Sequence, residues 1–428
     1  MSDRKSKSGK RKPGRIQKFF STFGPGVITG AADDDPAGIA TYSVTGARHG
    51  LDLLYTAIFT WPLMAAVQMM CARVGMVTGQ GLIGSLKQKF PKPLIVVTAF
   101  SLFAANTLNI GADLAGMGDA AEMLTHINSK VFVVIFGCAI AVATVKFSYQ
   151  KIAKWLKWLA LALFAYVACA FLVVEDWSKV ASATFIPQWP KDNEAWKTTV
   201  AILGTTISPY LFFWQASQEV EEKKCKGQRS KAQREGATSE EIQTRKWDVG
   251  IGTFFSNLVM YFVILTTAVT LHLHGITEIE TSRQAAEALR PLAGNFATLL
   301  YTLGVVAVGF LAIPTLAGSA AYAFAETFRW KQGLNEKPHS AKRFYFVVVI
   351  STALGICFDF IGFNPIKALF WSAIVNGVLA PFLLVGILVV ASNKELMKGQ
   401  PSYALNRWIV GLTAVMMFGA AAALFLLS

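Results

Sequence analysis

Long apolar runs separated by short charged segments constrain this sequence more than any other feature. A run of about 17–25 apolar residues can cross a bilayer as a helix, and the chain holds about eleven such runs. Of its 428 residues 54% are hydrophobic and only 15% are charged, whereas a soluble domain carries about 25% charged residues. We therefore predict an all-α polytopic membrane protein with spans at residues 24–46, 53–77, 94–116, 131–145, 156–174, 198–216, 249–271, 296–325, 344–361, 366–390 and 408–427.

Lysine and arginine are concentrated in loops that alternate with loops poor in basic residues. This is the positive-inside pattern, and it places every basic cluster in the cytoplasm if the odd-numbered spans run outward. The pattern predicts a protein of the inner (plasma) membrane with a cytoplasmic N-terminus and an outside C-terminus. It also accounts for the net charge of +14 without nucleic acid. The clusters lie at residues 4–18, 87–92, 151–157, 223–246, 329–343 and 394–407.

Short turns separate most of the spans, which indicates a single transmembrane domain at residues 21–428 behind a basic cytoplasmic tail at residues 1–20. The longest polar insert, about 219–248, mixes both charges and is predicted to be a solvated cytoplasmic loop or short surface helix. The first apolar run contains three acids and no small-residue cleavage site, so it is not predicted to be a signal peptide. The five cysteines show no C-x-x-C spacing and predict neither a disulfide framework nor a zinc site.

Helix breakers interrupt the first and sixth apolar runs near their middle. The first reads GPGVITGAADDDPAGIATYS and contains Pro36, and the sixth contains Gly204 followed by Ser208-Pro209. Unwound backbone is tolerated inside a bilayer only where protein or a water-filled cavity satisfies its polar groups. Paired broken helices indicate an inverted-repeat transporter whose binding site lies at the breaks. The predicted repeats cover about 21–175 and 197–391, and one extra helix follows at about 406–427.

Three consecutive carboxylates, Asp33, Asp34 and Asp35, lie at the first break. Each costs roughly 2.5–3.5 kcal/mol near the centre of a membrane helix, so packing does not explain them. Clustered carboxylates are hard oxygen ligands that suit magnesium, calcium or manganese. The alternative is a helix that begins later and is capped by these acids at the interface. Because three successive residues cannot face one point, we predict Asp35 as the direct ligand, with Asp34 or Asp33 around it or in an entry funnel.

The stretch GPGVITGAADDDPAGIATYSVTGA resembles the first span of NRAMP-type metal transporters, whose hallmark is Asp-Pro-Gly-Asn after a Gly-Pro-Gly start. Span order, both breaks and overall length agree, so the resemblance covers nearly the whole chain. It implies a LeuT-like fold with five plus five helices and alternating-access transport of a divalent metal. Asp35 and Pro36 match the hallmark, but Gly38 stands where the family has its Asn ligand. The family's Met-Pro-His and its second His correspond here to Ser208-Pro209-Tyr210 and Gln215.

These departures remove a soft thioether ligand and leave a set made only of oxygens. The pattern is similar to the NRAMP-related magnesium transporter branch. We expect import of Mg²⁺ and/or Mn²⁺, with Fe²⁺ as a further candidate. A backbone carbonyl at Thr205 or Thr206, freed by the second break, would be a further ligand. The predicted metal-site positions are Asp35, Asp34, Gly38, Thr205 and Ser208, and the predicted cavity or pathway residues are Asp33, Tyr210, Gln215, Asn376 and Glu219.

Proton coupling is predicted to be weak or absent. All five histidines fall at predicted span ends or in loops, so no histidine is available as a titrating group in the cavity. Asp113 matches one acid of the family's proton route, but Gly116 replaces the Glu that follows it. Asp113 either serves a proton route or bonds a neighbouring helix through Asn106 or Asn109. Coupling is not required, because a divalent cation crossing 100 mV gains roughly 4.6 kcal/mol.

Two other functions remain as alternatives. The first is a proton-coupled Mn²⁺/Fe²⁺ symporter of the ordinary NRAMP type. The second is an amino-acid permease on the same architecture, although three aspartates at the break would repel a substrate carboxylate. A membrane enzyme is disfavoured, since the spans hold no Ser/His/Asp, His-metal or Cys/His constellation. No cofactor is predicted. The expected partners are the metal substrate and the lipid bilayer, and the oligomeric state is left open.

Overall fold

The computed structural model describes residues 25–147 and 161–426, which form helices without any β-strand. In chain order the α-helices are α1 (Pro25–Asp33), α2 (Pro36–His49), α3 (Tyr55–Thr78), α4 (Leu82–Leu86), α5 (Lys92–Thr125), α6 (Ser129–Lys146), α7 (Ala165–Val173), α8 (Trp177–Phe185), α9 (Asn193–Thr206), α10 (Pro209–Cys225), α11 (Lys231–Arg234), α12 (Ser239–Thr270), α13 (Ser282–Glu287), α14 (Arg290–Ala293), α15 (Ala297–Phe328), α16 (Lys342–Asp359), α17 (Pro365–Ser392) and α18 (Ala404–Leu426).

The predicted order of spans is present in this arrangement. Seven helices of the described ranges are long and apolar enough to cross a membrane unbroken, namely α3, α5, α6, α12, α15, α17 and α18. The first and sixth spans are each two half-helices, α1 with α2 and α9 with α10. The ninth is α16, which carries charged residues at both ends. The fifth span was predicted at residues 156–174, and the described part of it consists of a 3₁₀ turn followed by α7.

The two broken pairs pack among the longest helices. Helices α1 and α2 lie against α12, α9 lies against α17, and α10 lies against α3 and α15. A Cβ on Gly30 would come within 2.4 Å of the Gly252 backbone in α12, and one on Gly204 within 2.0 Å of the Ala373 carbonyl oxygen in α17. Small residues allow such close approach of helix backbones in membranes. Each half-helix that precedes a break is therefore pressed against an unbroken helix.

The basic loop segments of the described ranges meet at one end of the bundle, here called the basic end. Their shared position agrees with the alternation that predicted a common membrane side. The basic tail and the 151–157 cluster lie outside the described residues. The contacts that join the segments are Lys87 Nζ to the Thr327 carbonyl (2.9 Å), Lys224 Nζ to the Gln332 carbonyl (3.2 Å) and Lys398 Nζ to Glu235 Oε2 (3.2 Å).

The structure differs in part from the solvated loop or short surface helix predicted at residues 219–248: the short helix α11 has no buried residue, but both flanks of the segment belong to long helices. Helix α10 continues to Cys225, α12 begins at Ser239, and the short α11 lies between them. Glu219, Glu221 and Lys223 are buried, and the Lys223 ammonium donates to the Met76 carbonyl oxygen (2.7 Å). Acids and bases in this segment therefore bond with one another and with helix-end carbonyls. The mixed charges belong largely to the ends of α10 and α12, where they pair with neighbouring groups. The polar composition of the segment therefore did not indicate a solvated loop along its whole length.

Candidate metal-binding site

The first helix break is set by Pro36. A proline has no backbone N–H, so it ends the preceding helix and suits the first position of the next one. Helix α1 ends at Asp33 and α2 begins at Pro36. Between them Asp35 has extended backbone angles, and its Oδ1 accepts a hydrogen bond of 2.6 Å from the Gly38 N–H. The carboxylate therefore caps the N-terminus of α2, where the helix dipole favours negative charge.

The second break repeats this arrangement at Pro209. Helix α9 ends at Thr206, Ser208 takes the N-cap position of α10, and Pro209 follows as its first residue. The Ser208 hydroxyl does not cap α10. It lies 2.9 Å from the carbonyl oxygen of Gly204 and 2.6 Å from that of Thr205, both in α9. Ser208 thus satisfies helix-end carbonyls that the break leaves without a partner.

Asp35 faces helices α5 and α10. Its Oδ2 accepts hydrogen bonds from Asn109 Nδ2 (3.1 Å) and from the Tyr210 hydroxyl (3.4 Å). The Tyr210 hydroxyl also lies 3.1 Å from the Ala32 carbonyl oxygen in α1, so it joins the second break to the first. Asp35 is only 2% exposed. A carboxylate this deeply buried needs hydrogen-bonding or charged partners, and the two breaks supply them.

Asp113 and Asn376 extend this network to α5 and α17. Asn109 divides its amide hydrogens between Asp35 and Asp113 Oδ2 (3.1 Å). The other Asp113 oxygen accepts from the Ala37 N–H (3.2 Å). Asn376 Nδ2 in turn donates to Asn109 Oδ1 (3.2 Å). Asp113 therefore bonds through Asn109, one of its two predicted partners, whereas Asn106 bonds to α15.

Two buried oxygens beside this network have no hydrogen-bond partner among the described residues. They are Thr205 Oγ1 and Asn376 Oδ1. The bare α-carbon of Gly38 leaves room here, since a Cβ on it would lie 3.1 Å from Thr205 Oγ1 and 3.3 Å from Asp35 Oδ1. An Asn side chain at this position would occupy that room. One carboxylate oxygen and one hydroxyl oxygen therefore border a position at which Gly38 places no side chain.

Asp33 and Asp34 lie on a different side of the break. The Ser256 hydroxyl in α12 lies 2.6 Å from Asp33 Oδ2 and 3.1 Å from Asp34 Oδ1. The structure thus brings Asp35, Gly38, Thr205, Tyr210, Asn376 and Asp113 to one region, while Asp33 and Asp34 face α12. Across 25–147 and 161–426, no group of three or more His, Cys, Asp or Glu side chains is arranged to hold a metal. A site here would combine few carboxylates with neutral oxygens.

Gln215 and Glu219 belong to a separate ion-pair cluster toward the basic end. Gln215 Nε2 donates to Glu219 Oε1 (2.7 Å), and Arg245 Nε lies 2.7 Å from the same oxygen. The Arg245 guanidinium also pairs with Glu222 and Asp248. Asp248 Oδ2 accepts a 2.7 Å hydrogen bond from the Gly26 N–H at the start of α1. This group, here called the Arg245 cluster, ties α10 and α12 to the first turn of α1.

Three members of these networks, Arg245, Asp248 and Ser256, were not predicted from the sequence. A signal for the first two was present, because Arg245 and Asp248 are three residues apart on a helix face, a spacing at which opposite charges attract. Extending the α12 periodicity back into the polar insert would have revealed it. Ser256 carries no such signal, since a serine within an apolar helix is equally suited to a local bond with its own backbone.

Comparison with known proteins gives one family. The Nramp family, described as natural resistance-associated macrophage protein-like, matches residues 26–427. Proteins called divalent metal cation transporter MntH are similar along most of their length. The one from Caldanaerobacter subterraneus subsp. tengcongensis is 26% identical over 400 residues, covering 92% of this chain and 89% of its own. The one from Yersinia pestis (strain Pestoides F) is 27% identical, covering 90% of each chain.

Solved structures agree in fold. A manganese transporter from Eremococcus coleocola, in complex with an aromatic bis-isothiourea compound, superposes with a TM-score of 0.75 at 15% identity, over 98% of this chain and 88% of its own. MhsT in complex with L-phenylalanine gives a TM-score of 0.61 at 14% identity, over 92% and 98%. At such identities these likenesses establish the LeuT-like fold alone. With the match over residues 26–427, the chain belongs to the natural resistance-associated macrophage protein-like family.

Proposed function

We propose that this protein imports a divalent metal cation by alternating access, and that the cation binds between the two helix breaks. The observation that carries the proposal is the Asp35 carboxylate, buried at the first break and bonded to Tyr210 of the second. The names of the MntH relatives and of the manganese transporter support the same class of cargo. The permease alternative loses support, because Asp35 and Asp113 would repel a substrate carboxylate.

A bound cation would replace hydrogen bonds that now satisfy Asp35. It would take an Asp35 oxygen, with the Thr205 hydroxyl or carbonyl oxygen and the Asn376 amide oxygen as neutral donors. Ser208 would contribute an oxygen after releasing the α9 carbonyls, while Asp34, bonded to Ser256, would attract the cation by its charge without contacting it. Oxygen ligands of this kind suit Mg²⁺ and Mn²⁺, and Mg²⁺ keeps several of its waters when bound. The space beside Gly38 favours a partly hydrated ion.

The proposed orientation places the basic end in the cytoplasm. The N-terminus then lies in the cytoplasm and the C-terminus outside, as the positive-inside rule requires. In this orientation the Arg245 cluster closes the cytoplasmic side of the pathway, and the outer half-helices α2 and α9 lie on the opposite side. Uptake therefore requires the contacts of α1 with α10 and α12 to open after the cation has entered from outside.

Uptake into proteoliposomes tests the function directly. We expect saturable, voltage-driven uptake of Mg²⁺ and Mn²⁺, with Fe²⁺ as the third candidate, and no comparable uptake of amino acids. Side-by-side uptake of the three metals and calcium measures the preference. Protein-dependent uptake of amino acids without any metal uptake would replace this proposal with the permease.

Metal uptake is expected to leave the internal pH unchanged. The described histidines all lie at helix ends or between helices, at positions 49, 126, 272, 274 and 339, and Gly116 stands where the family has an acid. A membrane potential of 100 mV supplies roughly 4.6 kcal/mol to a divalent cation, which corresponds to about three decades of accumulation. A pH-sensitive dye inside the liposomes gives the readout. Metal-driven acidification that disappears in Asp113→Asn would favour the proton-coupled symporter instead.

Introducing a thioether is expected to change metal preference. Ser208→Met places a soft ligand at the second break, and soft ligands favour manganese and iron over magnesium. We expect the ratio of Mn²⁺ to Mg²⁺ affinity to rise by about tenfold, equivalent to roughly 1.4 kcal/mol. Isothermal titration calorimetry with both metals measures this ratio. Ser256→Met, on the side of Asp33 and Asp34, is the matched control and should leave the ratio unchanged.

Loss of Asn109 is expected to weaken metal binding although Asn109 is not a proposed ligand. Its amide orients Asp35 and Asp113 together, and removal of a group that orients a metal ligand typically costs about 10–100-fold in affinity. We expect Asn109→Leu to lower Mn²⁺ affinity within this range in calorimetry. Asn257→Leu, a buried amide of α12 that bonds to Met64 and Thr253, is the control. Equal losses in both variants would indicate general destabilisation.

A further inference from the structure

Three adjoining cavities surround Arg329 at the basic end, and together they are called the Arg329 pocket. Their volumes are about 600, 520 and 330 Å³. All three share Arg329. The first two also share Lys87, and the first and third share Trp330 and Lys331. Ten basic side chains line the pocket, against the two acids Glu326 and Glu336: Lys87, Lys92, Lys224, Arg229, Lys231, Arg234, Arg329, Lys331, Lys342 and Arg343.

The two acids leave most of this charge uncompensated. The Glu326 carboxylate accepts hydrogen bonds from the N–H groups of Gly81 (2.7 Å) and Gly84 (2.9 Å). Glu336 pairs with Lys331 (2.8 Å), and two further lining cations, Lys224 and Lys231, pair with acids outside the lining. The other seven form no ion pair with a described residue. Among these seven, Arg229 and Arg329 are exposed. The pocket therefore keeps an excess of positive charge. The positive-inside rule explains why this end of the bundle is basic as a whole, but it does not explain why so many cations line one concave region.

Arg329 itself occupies a costly backbone conformation. It ends α15 in the left-handed region with φ 59° and ψ 42°, which costs a residue with a side chain roughly 1–2 kcal/mol. Glycine or asparagine would fit this helix end with less strain. His126, at the C-terminus of α5, and Lys398 have the same left-handed backbone, so the conformation sets the position of the Arg329 side chain without assigning it a role. From this position the Arg329 side chain lines all three cavities.

An apolar surface continues from the basic part of the pocket. The second cavity is also lined by Phe90, Ile95 and Phe328. Beyond it, the α5 side chains of Val97 and Phe100 are 60% and 52% exposed on the flank of the bundle. A soluble anion would use the cations but not this apolar surface. A phospholipid uses both, because its phosphate lies at the interface and its acyl chains lie along the helices.

We propose that the Arg329 pocket binds the headgroup phosphate of an anionic phospholipid, whose acyl chains lie along the flank of α5. Basic pockets between transmembrane helices on the cytoplasmic side are suited to phosphate headgroups. Arg329 and Arg229 would contact the phosphate, since arginine can donate two parallel hydrogen bonds to it. No residue of the two helix breaks lines the pocket, so the lipid and the transported cation would share no ligand.

Native mass spectrometry of the purified full chain tests this proposal, with phosphatidylglycerol and phosphatidylcholine titrated in parallel. The test variant is Arg229→Gln with Arg329→Asn, because Asn tolerates the left-handed conformation at 329. The control is Lys89→Gln with Lys246→Gln, which removes two exposed charges at the same end outside the pocket. We expect about 25-fold weaker phosphatidylglycerol binding in the test variant, or about fivefold per cation, and less than a twofold change in the control.

Three outcomes would overturn the proposal. Equal losses in both double variants would mean attraction to the whole basic surface. Equal retention of phosphatidylglycerol and phosphatidylcholine would remove any role for anionic charge. Glycerol phosphate or inorganic phosphate binding as tightly as the lipid, and displacing it, would assign the pocket to a soluble anion. A thermal unfolding temperature without added lipid that matches the wild type verifies that the variants are folded.

Discussion

Asp35→Asn is expected to abolish metal uptake and to weaken Mg²⁺ and Mn²⁺ binding by at least about 100-fold. Asparagine keeps the shape of the side chain and one oxygen, but it removes the charge that holds a divalent cation at the break. Loss of a group that only orients a ligand already costs about 10–100-fold, and loss of the charged ligand itself should cost no less. Calorimetry on the purified protein gives the affinity, and proteoliposome uptake gives the transport rate.

Asp34→Asn is the matched control for this experiment. Asp34 is adjacent in sequence and is also buried, but it faces Ser256. We expect its loss to reduce affinity by less than about tenfold, as for a carboxylate that acts through general electrostatics. The reverse ranking, with Asp34→Asn severe and Asp35→Asn mild, would move the cation to the α12 side of the break. Unchanged binding in both variants would remove this break from the metal site.

Arg245→Met is expected to destabilise the protein by about 3–5 kcal/mol. The guanidinium is 8% exposed and is shared by Glu219, Glu222 and Asp248. Removing one partner of a buried ion-pair network leaves the remaining charges without compensation, and this loss is typically of that size. Thermal unfolding in detergent, monitored by circular dichroism, measures the effect.

The same substitution is expected to open the cytoplasmic side. Because Asp248 also holds the first turn of α1, we expect a cysteine introduced by Thr205→Cys to be labelled faster from the cytoplasmic side when Arg245→Met is present.

Lys226→Met provides the comparison. Lys226 pairs with Glu222 of the same cluster, but its side chain is 56% exposed. Exposed ion pairs contribute about 0–1 kcal/mol, since water and salt screen them. If both variants lower the unfolding temperature equally, burial is not what gives the Arg245 cluster its strength. If Arg245→Met has the same unfolding temperature as the wild type, the Arg245 cluster does not hold the basic end of the bundle closed.

The sequence predicted the fold and the breaks because both depend on local chemistry. The length of an apolar run decides whether a helix can span the bilayer, and a proline removes a backbone N–H wherever it stands. The structure accordingly breaks the first and sixth spans at Pro36 and Pro209. Three successive carboxylates cannot face one point, and in the structure Asp35 faces Asn109 whereas Asp33 and Asp34 face Ser256. Which of the three binds metal stays a prediction.

The contacts between distant segments could not be predicted in the same way. Asn376 reaches Asn109 across 267 positions of sequence, and no periodicity in either helix indicates that partner. The prediction for residues 219–248 was wrong in part for a different reason. A run of mixed charge has the same composition whether its side chains face water or pair with one another in a buried cluster. Only the arrangement of α10 against α12 decides between these environments, and that arrangement is a property of the whole bundle.

The attachment of α1 to α12 has a kinetic consequence. Gly26, Gly30 and Asp33 of α1 meet Asp248, Gly252 and Ser256 of α12, so the half-helix is fastened at three successive turns. Translation of α1 away from α12 separates all three contacts together, because a short helix moves as a rigid body. All three must separate in one activated step. Turnover limited by this step should rise steeply with temperature, and weakening any one fastening should accelerate the cycle and lower its temperature dependence.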